Sequence, residues 1–291
     1  MQAFLLFTTA PETNQLSDIT AYCRSITSHD PIILSQSQEL GQAVMVAIDD
    51  DPSVAVHRDW AERRHCDANI LAAAPQKQSL LLSDMDSTII TEESLDALSE
   101  MAGMGEAVKA ITARAMAGEL DFAEALEERL LMLKGQPASL LDDIIKQTEI
   151  FDGADKLVGT MRKHGARCLL VSGGFTFLTA PISEKLGFHH HFANDLAITD
   201  DKLAGYANPP ILDSSAKYRI MHEEMAELGI TSDAVMTIGD GANDIPMLKA
   251  AGLGVAWRAK PIVKGEIALQ LNHSSHCGGL FLQGYSETEI I

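Results

Sequence analysis

The sequence predicts an α/β protein in which a doubly wound, Rossmann-like parallel sheet carries a small helical cap and follows a ferredoxin-like α+β unit. Three observations carry this reading. Residues 3–73 pattern as strand, helix, strand, strand, helix, strand; from residue 79 short apolar strands alternate with helices; and residues 91–149 are helical in pattern with no convincing strand. A chain of 291 residues is long enough to bury a core in each of two units.

In the first unit, residues 1–75, strands are expected at 3–8, 32–36, 43–48 and 69–73, and helices at 18–27 and 53–64. This order places both helices on one face of an antiparallel sheet. The apolar start from Met1 to Phe7 is very short, lacks a basic leader and runs straight into Thr8-Thr9-Ala10-Pro11-Glu12, so it reads as the first strand rather than a targeting segment. Pro75-Gln76-Lys77-Gln78 breaks the pattern and marks the boundary to a second unit, residues 79–291.

The second unit opens with Ser79-Leu80-Leu81-Leu82-Ser83, an apolar run of the kind that forms a buried parallel strand. The helical stretch 91–149, rich in Ala, Leu, Met and Glu, reads as an insertion above the sheet. Alternation then resumes with a helix from Lys156, a strand at 166–171, a helix at 175–186, a strand-rich stretch at 192–206, a helix at 215–228, a strand at 234–238 and a helix at 244–250.

Acidic residues outnumber basic ones by 41 to 22, a formal charge of -19, and no basic stripe could follow a nucleic-acid backbone. A site for a small anion must therefore supply its own cations or backbone N–H groups. Cys23, Cys66, Cys168 and Cys277 lie far apart, which fits a reducing compartment. No apolar run approaches the roughly 18 residues of a membrane span, so a soluble, cytoplasmic protein is expected.

Three strand ends carry the chemistry. Asp84-Met85-Asp86-Ser87-Thr88 follows the first strand of the second unit; carboxylates at i and i+2 can converge so that one attacks while the other exchanges protons. Ser172-Gly173-Gly174 ends the next strand, where a hydroxyl, close backbone approach and helix-start N–H groups suit an anion. Gly239-Asp240-Gly241-Ala242-Asn243-Asp244 ends a third with hard oxygen ligands of the kind magnesium takes. Each motif alone also fits an ordinary turn or helix cap, and Lys217 alone an ordinary surface lysine; their joint presence favours a site. Asp244 stands where a dinucleotide fingerprint needs its third glycine. His222-Glu223-Glu224-Met225-Ala226 lacks the second histidine of a zinc protease, Val171-Ser172-Gly173 lacks the leading glycine of a nucleophile elbow, and His189-His190-His191 would alternate faces on a strand.

Together, D-x-D-S-T, V-S-G-G-F, a lysine and G-D-G-A-N-D make residues 79 to about 285 resemble the phosphoserine phosphatases of the haloacid dehalogenase superfamily. Glu93, nine positions after Asp84, and Asp121-Phe122 followed by Arg129 match that family's substrate-reading positions. The resemblance implies hydrolysis of O-phosphoserine, the last step of serine biosynthesis, with Mg2+ as cofactor. It implies Asp84 as nucleophile and metal ligand and Asp86 as general acid and base. The Asp86 backbone carbonyl and Asp240 would complete the metal ligands. Ser172, the Gly173 N–H and Lys217 would hold the phosphoryl oxygens, with Asn243 a further substrate contact and Asp244 close by. Arg129 would grip the substrate carboxylate and Glu93 its ammonium, while Met116 and Phe122 would be apolar lid residues.

The first unit resembles a degenerate ACT-like regulatory domain. Its first strand-to-helix loop, Thr9-Ala10-Pro11-Glu12-Thr13-Asn14, has no glycine, so a homodimer-forming or structural role fits as well as amino-acid binding. Two alternatives stay open: another small phosphomonoester, or transfer to an alcohol such as homoserine, on the same chemistry; and a catalytically silent amino-acid sensor, against which intact Asp84, Asp86, Lys217 and Asp240 argue.

Overall fold

The computed structural model describes residues 2–49, 54–116 and 119–291, and for Met116 the backbone alone. Its first elements are β1 (Ala3–Thr9), α1 (Leu16–Ile26), β2 (Ile32–Ser35), β3 (Ala43–Ile48), α2 (Val54–Glu62) and β4 (Cys66–Leu71). The strands form an antiparallel sheet in the order β2-β3-β1-β4, the arrangement expected of the ferredoxin-like order. Alternation along β1 sends Leu5 and Phe7 to a core under the helices with Ile19, Cys23 and Ala61, and Leu6 to the opposite face. That opposite face is covered by the rest of the chain: Leu6, Leu34, Met45 and Leu71 join the main core of the second unit. Ser53, the expected start of the second helix, lies outside the described residues.

The second unit runs β5 (Leu80–Ser83), α3 (Ser94–Met101), α4 (Gly105–Met116), α5 (Phe122–Met132), α6 (Ser139–Gln147), α7 (Ala154–Lys163), β6 (Arg167–Phe175), α8 (Thr176–Leu186), β7 (His190–Thr199), β8 (Lys202–Asn208), α9 (Ala216–Leu228), β9 (Val235–Gly239), α10 (Ile245–Ala250), β10 (Leu253–Trp257), α11 (Pro261–Glu266), β11 (Leu269–Leu271) and α12 (Cys277–Phe281). Seven strands order as β11-β10-β9-β5-β6-β7-β8, parallel except for the β7–β8 hairpin. Leu81, Cys168, Leu170 and Met236 face one core layer; Leu80, Leu82, Leu169 and Val235 face the other. Both sheet faces are therefore buried, as the apolar run at residues 80–82 requires. The helices α3 to α6 form the insertion, and the chain closes beneath it where Ile90 bridges Ile150 and Thr91 N–H donates to the Glu149 carbonyl at 3.0 Å.

The structure corrects several expected boundaries. The fourth strand runs from Cys66 to Leu71, not from Asn69 to Ala73, and Asp67 on it is buried, its carboxylate saturated by N–H groups from elsewhere. The strand expected over 166–171 continues through Ser172-Gly173-Gly174 to Phe175, with a register shift against β7, and the helix begins at Thr176 rather than Phe175, so the two glycines end the strand as their motif implied. The strand-rich stretch at 192–206 is a hairpin whose two turn residues, Asp200 and Asp201, both have positive φ, at 51° and 58°. The elements after Ala250 were not anticipated.

The two units are joined by reciprocal polar contacts. Asp67 on β4 accepts from the N–H groups of Asn272 (2.8 Å) and Ser274 (2.9 Å) and from the Ser274 hydroxyl (2.6 Å). The Asn69 side chain pairs with both backbone groups of Gln270 at 2.8 Å, as a neighbouring strand would. In the other direction, Glu287 Oε2 accepts from the N–H groups of Gln36 (2.7 Å) and Ser37 (3.0 Å).

Candidate active site

In the sheet order β5 lies between β6 and β9, so connections leave it in opposite directions and a crevice opens at the carboxyl ends of all three strands. Each expected motif lies there. Asp84 follows β5, its N–H donating to the Ile238 carbonyl of β9 at 3.0 Å, and the residue is 5% exposed. The Met85 carbonyl accepts from the N–H groups of Thr88 (3.2 Å), Ile89 (2.8 Å) and Ile90 (3.0 Å), coiling the motif into a tight turn. Ser87 takes a left-handed φ of 53°, a conformation that costs a non-glycine residue on the order of 1 kcal/mol and recurs at functional sites.

The turn places Asp86 between the start of α3 and the end of β6. Its Oδ1 accepts from the N–H of Ser94 at the start of α3 (2.8 Å), and its Oδ2 accepts from the Ser172 hydroxyl (2.7 Å), which itself accepts from the Gly174 N–H (2.8 Å). The Ser172 hydroxyl is thus engaged in orienting Asp86. A Cβ on Gly174 would fall 2.9 Å from Asp86 Oδ2 and 2.9 Å from Ser94 Oγ, so only glycine permits this approach.

Beneath lies a charge cluster. Lys217, in the first turn of α9 and 4% exposed, places Nζ 2.5 Å from Asp84 Oδ1 and 2.6 Å from Asp244 Oδ1. Burial alone would lower the Lys217 pKa, but Asp244 and Asp84 outweigh it and the group is raised, hence charged. Asp84 is raised well above the usual carboxylate range, by burial first and then by Asp244, with Lys217 opposing. Asp240 is likewise raised by burial, against the pull of Lys260. Carboxylate oxygens of Asp84, Asp240 and Asp244 lie within 4.8 Å of one another. Three buried carboxylates therefore share one buried ammonium, and the balance favours a cation.

The donor set fits a hard divalent ion. Asp244 is spoken for, with Oδ1 on Lys217 and Oδ2 accepting the Gly241 N–H at 2.9 Å. Asp84 uses Oδ1 for Lys217 and for the Met85 N–H (2.7 Å), which leaves Oδ2 available; Asp240 has only a long contact from the Thr88 hydroxyl at 3.4 Å and Lys260 at 3.5 Å. Asp84 and Asp240 are thus the carboxylates with ligand capacity, and Asp244 positions Lys217.

Above this floor is a cleft of about 220 Å³ lined by Asp86, Glu93, Phe122, Arg129, Gly173 and Lys260 among others. Phe122, first residue of α5, packs on the Gly173 position. Arg129 lies about two turns further along the same face of α5, held by Nε donating to the Ala125 carbonyl at 3.0 Å, and forms no ion pair among the described residues. Burial depresses its pKa, with Asp96 and Glu93 opposing. Glu93 faces solvent on one side, but desolvation on the others, then Asp86, raises its pKa, and Lys260 counters. Asn243 sits exposed at the rim between Gly241 and Asp244. Met116 ends α4, and its side chain is outside the described set. Among the histidines, His189 accepts from the Cys168 N–H (3.0 Å) and His191 pairs with Thr179 (2.9 Å), so they are structural.

Sequence reasoning missed Lys260. Its signal was Arg258-Ala259-Lys260-Pro261 at the carboxyl end of another sheet strand, β10, which was itself unrecognised.

The model of the haloacid dehalogenase-like hydrolase family matches residues 81–249, which contain all three strand-end motifs. The chain belongs to this family. Among relatives of this haloacid dehalogenase-like hydrolase, a phosphoserine phosphatase of Archaeoglobus fulgidus is 41% identical over 189 residues, 65% of this chain and 55% of that protein. The chain thus spans about half the length of that relative. A phosphoserine phosphatase of Lactococcus lactis is 40% identical over 195 residues, 67% of this chain and 90% of that protein. The crystal structure of a HAD family hydrolase from Salmonella enterica serovar Typhi superposes with a TM-score of 0.87 at 26% identity, covering 97% of this chain and 98% of that one. No described helix is long and apolar enough to cross a membrane.

Proposed function

We propose that this hydrolase is a cytoplasmic, magnesium-dependent phosphatase that converts O-phosphoserine to serine and phosphate through a phospho-aspartate on Asp84. The observation that carries the reading is the pairing of two recognition zones across one cleft: a carboxylate-rich floor at Asp84 and Lys217 with room in its charge balance for a divalent cation, and a roof presenting Glu93 beside the guanidinium of Arg129, which is without an ion pair among the described residues. A zwitterion with a phosphate on its side chain matches both, and the relatives named above point the same way.

In the first step an Asp84 carboxylate oxygen bonds to phosphorus as the bond from phosphorus to the serine oxygen breaks. Protonated Asp86 gives its proton to that departing oxygen, a contribution of ~10²- to 10⁴-fold. In the second step Asp86, now a carboxylate, takes a proton from water as the water oxygen bonds to phosphorus and the bond to Asp84 breaks. This releases phosphate and restores both aspartates. Lys217 offsets charge on the phosphoryl oxygens, and the Gly173 N–H and Ser172 bear on the same group, Ser172 also aligning Asp86. When bound by Asp84, the Asp86 backbone carbonyl and Asp240, Mg2+ would neutralise phosphate charge and orient the nucleophile. Arg129 can receive the substrate carboxylate in a bidentate fork, Glu93 its ammonium, and Phe122 shields the cleft from water. Asn243 is a further contact at the rim.

The test is phosphate release from L-phosphoserine by the wild type and by Asp84→Asn, with and without Mg2+, with phosphothreonine and a sugar phosphate as competitors. Magnesium-dependent turnover that favours phosphoserine and disappears in the variant is expected. Equal or better turnover of the competitors would discard the substrate, and no turnover of any would discard the enzyme.

A further inference from the structure

We propose that Lys260 is a specificity-determining residue whose ammonium stands in for the substrate ammonium against Glu93. The inference rests on the phosphoserine reading above and adds a residue to it. Lys260 Nζ lies 3.6 Å from Glu93 Oε1 and 3.5 Å from Asp240 Oδ2, and it is the one cation among the described residues within ion-pair range of Glu93. Both distances exceed those of a good charge-assisted hydrogen bond, and the side chain is 57% exposed. The ammonium is therefore held by charge rather than locked by geometry, and the flexible stem can withdraw into solvent.

The base of this side chain is fixed. The Lys260 N–H donates to the Asp240 carbonyl (3.1 Å), Pro261 follows as the first residue of α11, and Arg258 is held at a left-handed φ of 40°. Arg258 is anchored by its N–H on the Leu271 carbonyl (2.8 Å) and by its guanidinium over the rings of Phe151 (4.9 Å) and Trp257 (5.1 Å). A strained turn braced on three sides delivers one mobile cation to the cleft mouth.

The consequence for selectivity follows from charge. A substrate that brings its own ammonium displaces Lys260 from Glu93 and leaves the carboxylate paired. A substrate of the same shape without the amine leaves Lys260 in place, and Glu93 is again paired. Lys260 thus narrows the discrimination that Glu93 alone would impose, because an unpaired carboxylate beside an amine-free substrate would be penalised. It also competes with phosphoserine for the same partner.

The experiment compares kcat/KM for phosphoserine and for 3-phosphooxypropionate, which carries hydrogen in place of the amine, at saturating Mg2+ in wild type, Lys260→Met and Lys260→Arg. In Lys260→Met the phosphoserine preference is expected to rise by about three- to fivefold, the upper scale of one solvent-facing charge pair, with phosphoserine KM unchanged or lower. Lys260→Arg keeps the cation and should stay within about twofold of wild type. An unchanged or reduced preference in Lys260→Met, with wild-type phosphoserine turnover intact, overturns this inference alone. Absence of wild-type phosphoserine turnover removes the substrate reading and this inference with it.

Discussion

Lys217 Nζ meets Asp84 Oδ1 at 2.5 Å with both side chains excluded from water, yet the pair does not balance, because Asp244 claims the same ammonium at 2.6 Å. Burial first, and then the surplus of negative charge from Asp244, holds the Asp84 pKa up. A carboxyl whose folded pKa is raised contributes stability that is fully present below its unfolded value of about 3.9 and is lost as pH rises through the folded value. Metal-free Asp84→Asn should therefore melt above the wild type near neutral pH, and the gap should close towards pH 4. Calorimetry in a chelator between pH 4 and 8 measures it; a gap that is constant or of opposite sign would contradict the charge account. Added Mg2+ should raise the melting temperature of the wild type more than that of the variant.

Gly174→Ala tests the positioning of Asp86. The new methyl group would meet Asp86 Oδ2 and Ser94 Oγ at 2.9 Å, and Gly174 is not at a positive φ, so the backbone itself tolerates alanine. Steady-state kinetics should show kcat down by about 10²-fold or more with KM little changed, the loss expected of a misplaced proton donor. Wild-type kcat would show that Asp86 needs no such alignment.

Arg129→Lys keeps the positive charge at the cleft roof but loses the planar fork. For phosphoserine, KM should rise by about 10- to 100-fold, the range of a charged hydrogen bond. Turnover of p-nitrophenyl phosphate, which has no α-carboxylate, should change little. Equal effects on the two substrates would place Arg129 outside carboxylate recognition.

His276 is fully buried, its ring 3.8 Å from that of Trp257, and burial depresses its pKa to about 3. A base with a depressed folded pKa gives stability that is present above its unfolded value of about 6.5 and lost as pH falls towards the folded value. Urea titrations at pH 7, 6, 5 and 4 should show His276→Phe gaining on the wild type at each step down. A pH-independent difference would mean that the imidazole is not held neutral.

What the sequence revealed and what it hid divide along one physical line. Asp84, Ser172 and Asp240 were readable because buried parallel strands are continuous apolar runs, and such strands deliver their next residues to one crevice. Asp67 was not, because a carboxylate saturated by backbone N–H groups looks in sequence like any other aspartate, and Asp244 was placed beside the metal site without its bond to Lys217, which has no local signature. Lys260 was hidden for a different reason: β10 interleaves glycine with its apolar residues, so the strand that delivers it did not stand out. The hydroxyl of Ser172 was found, but its bond to Asp86, 86 residues away in the chain, has no local signature.

The antiparallel sheet of residues 3–71 has α1 and α2 on one face and the main core of the second unit on the other, with Asp67 and Glu287 each driven into backbone N–H groups across the junction. Neither unit can melt alone without uncovering apolar surface and stranding those carboxylates and amides. The two sheets therefore form a single cooperative foldon, and the chain should lose its structure in one transition rather than two.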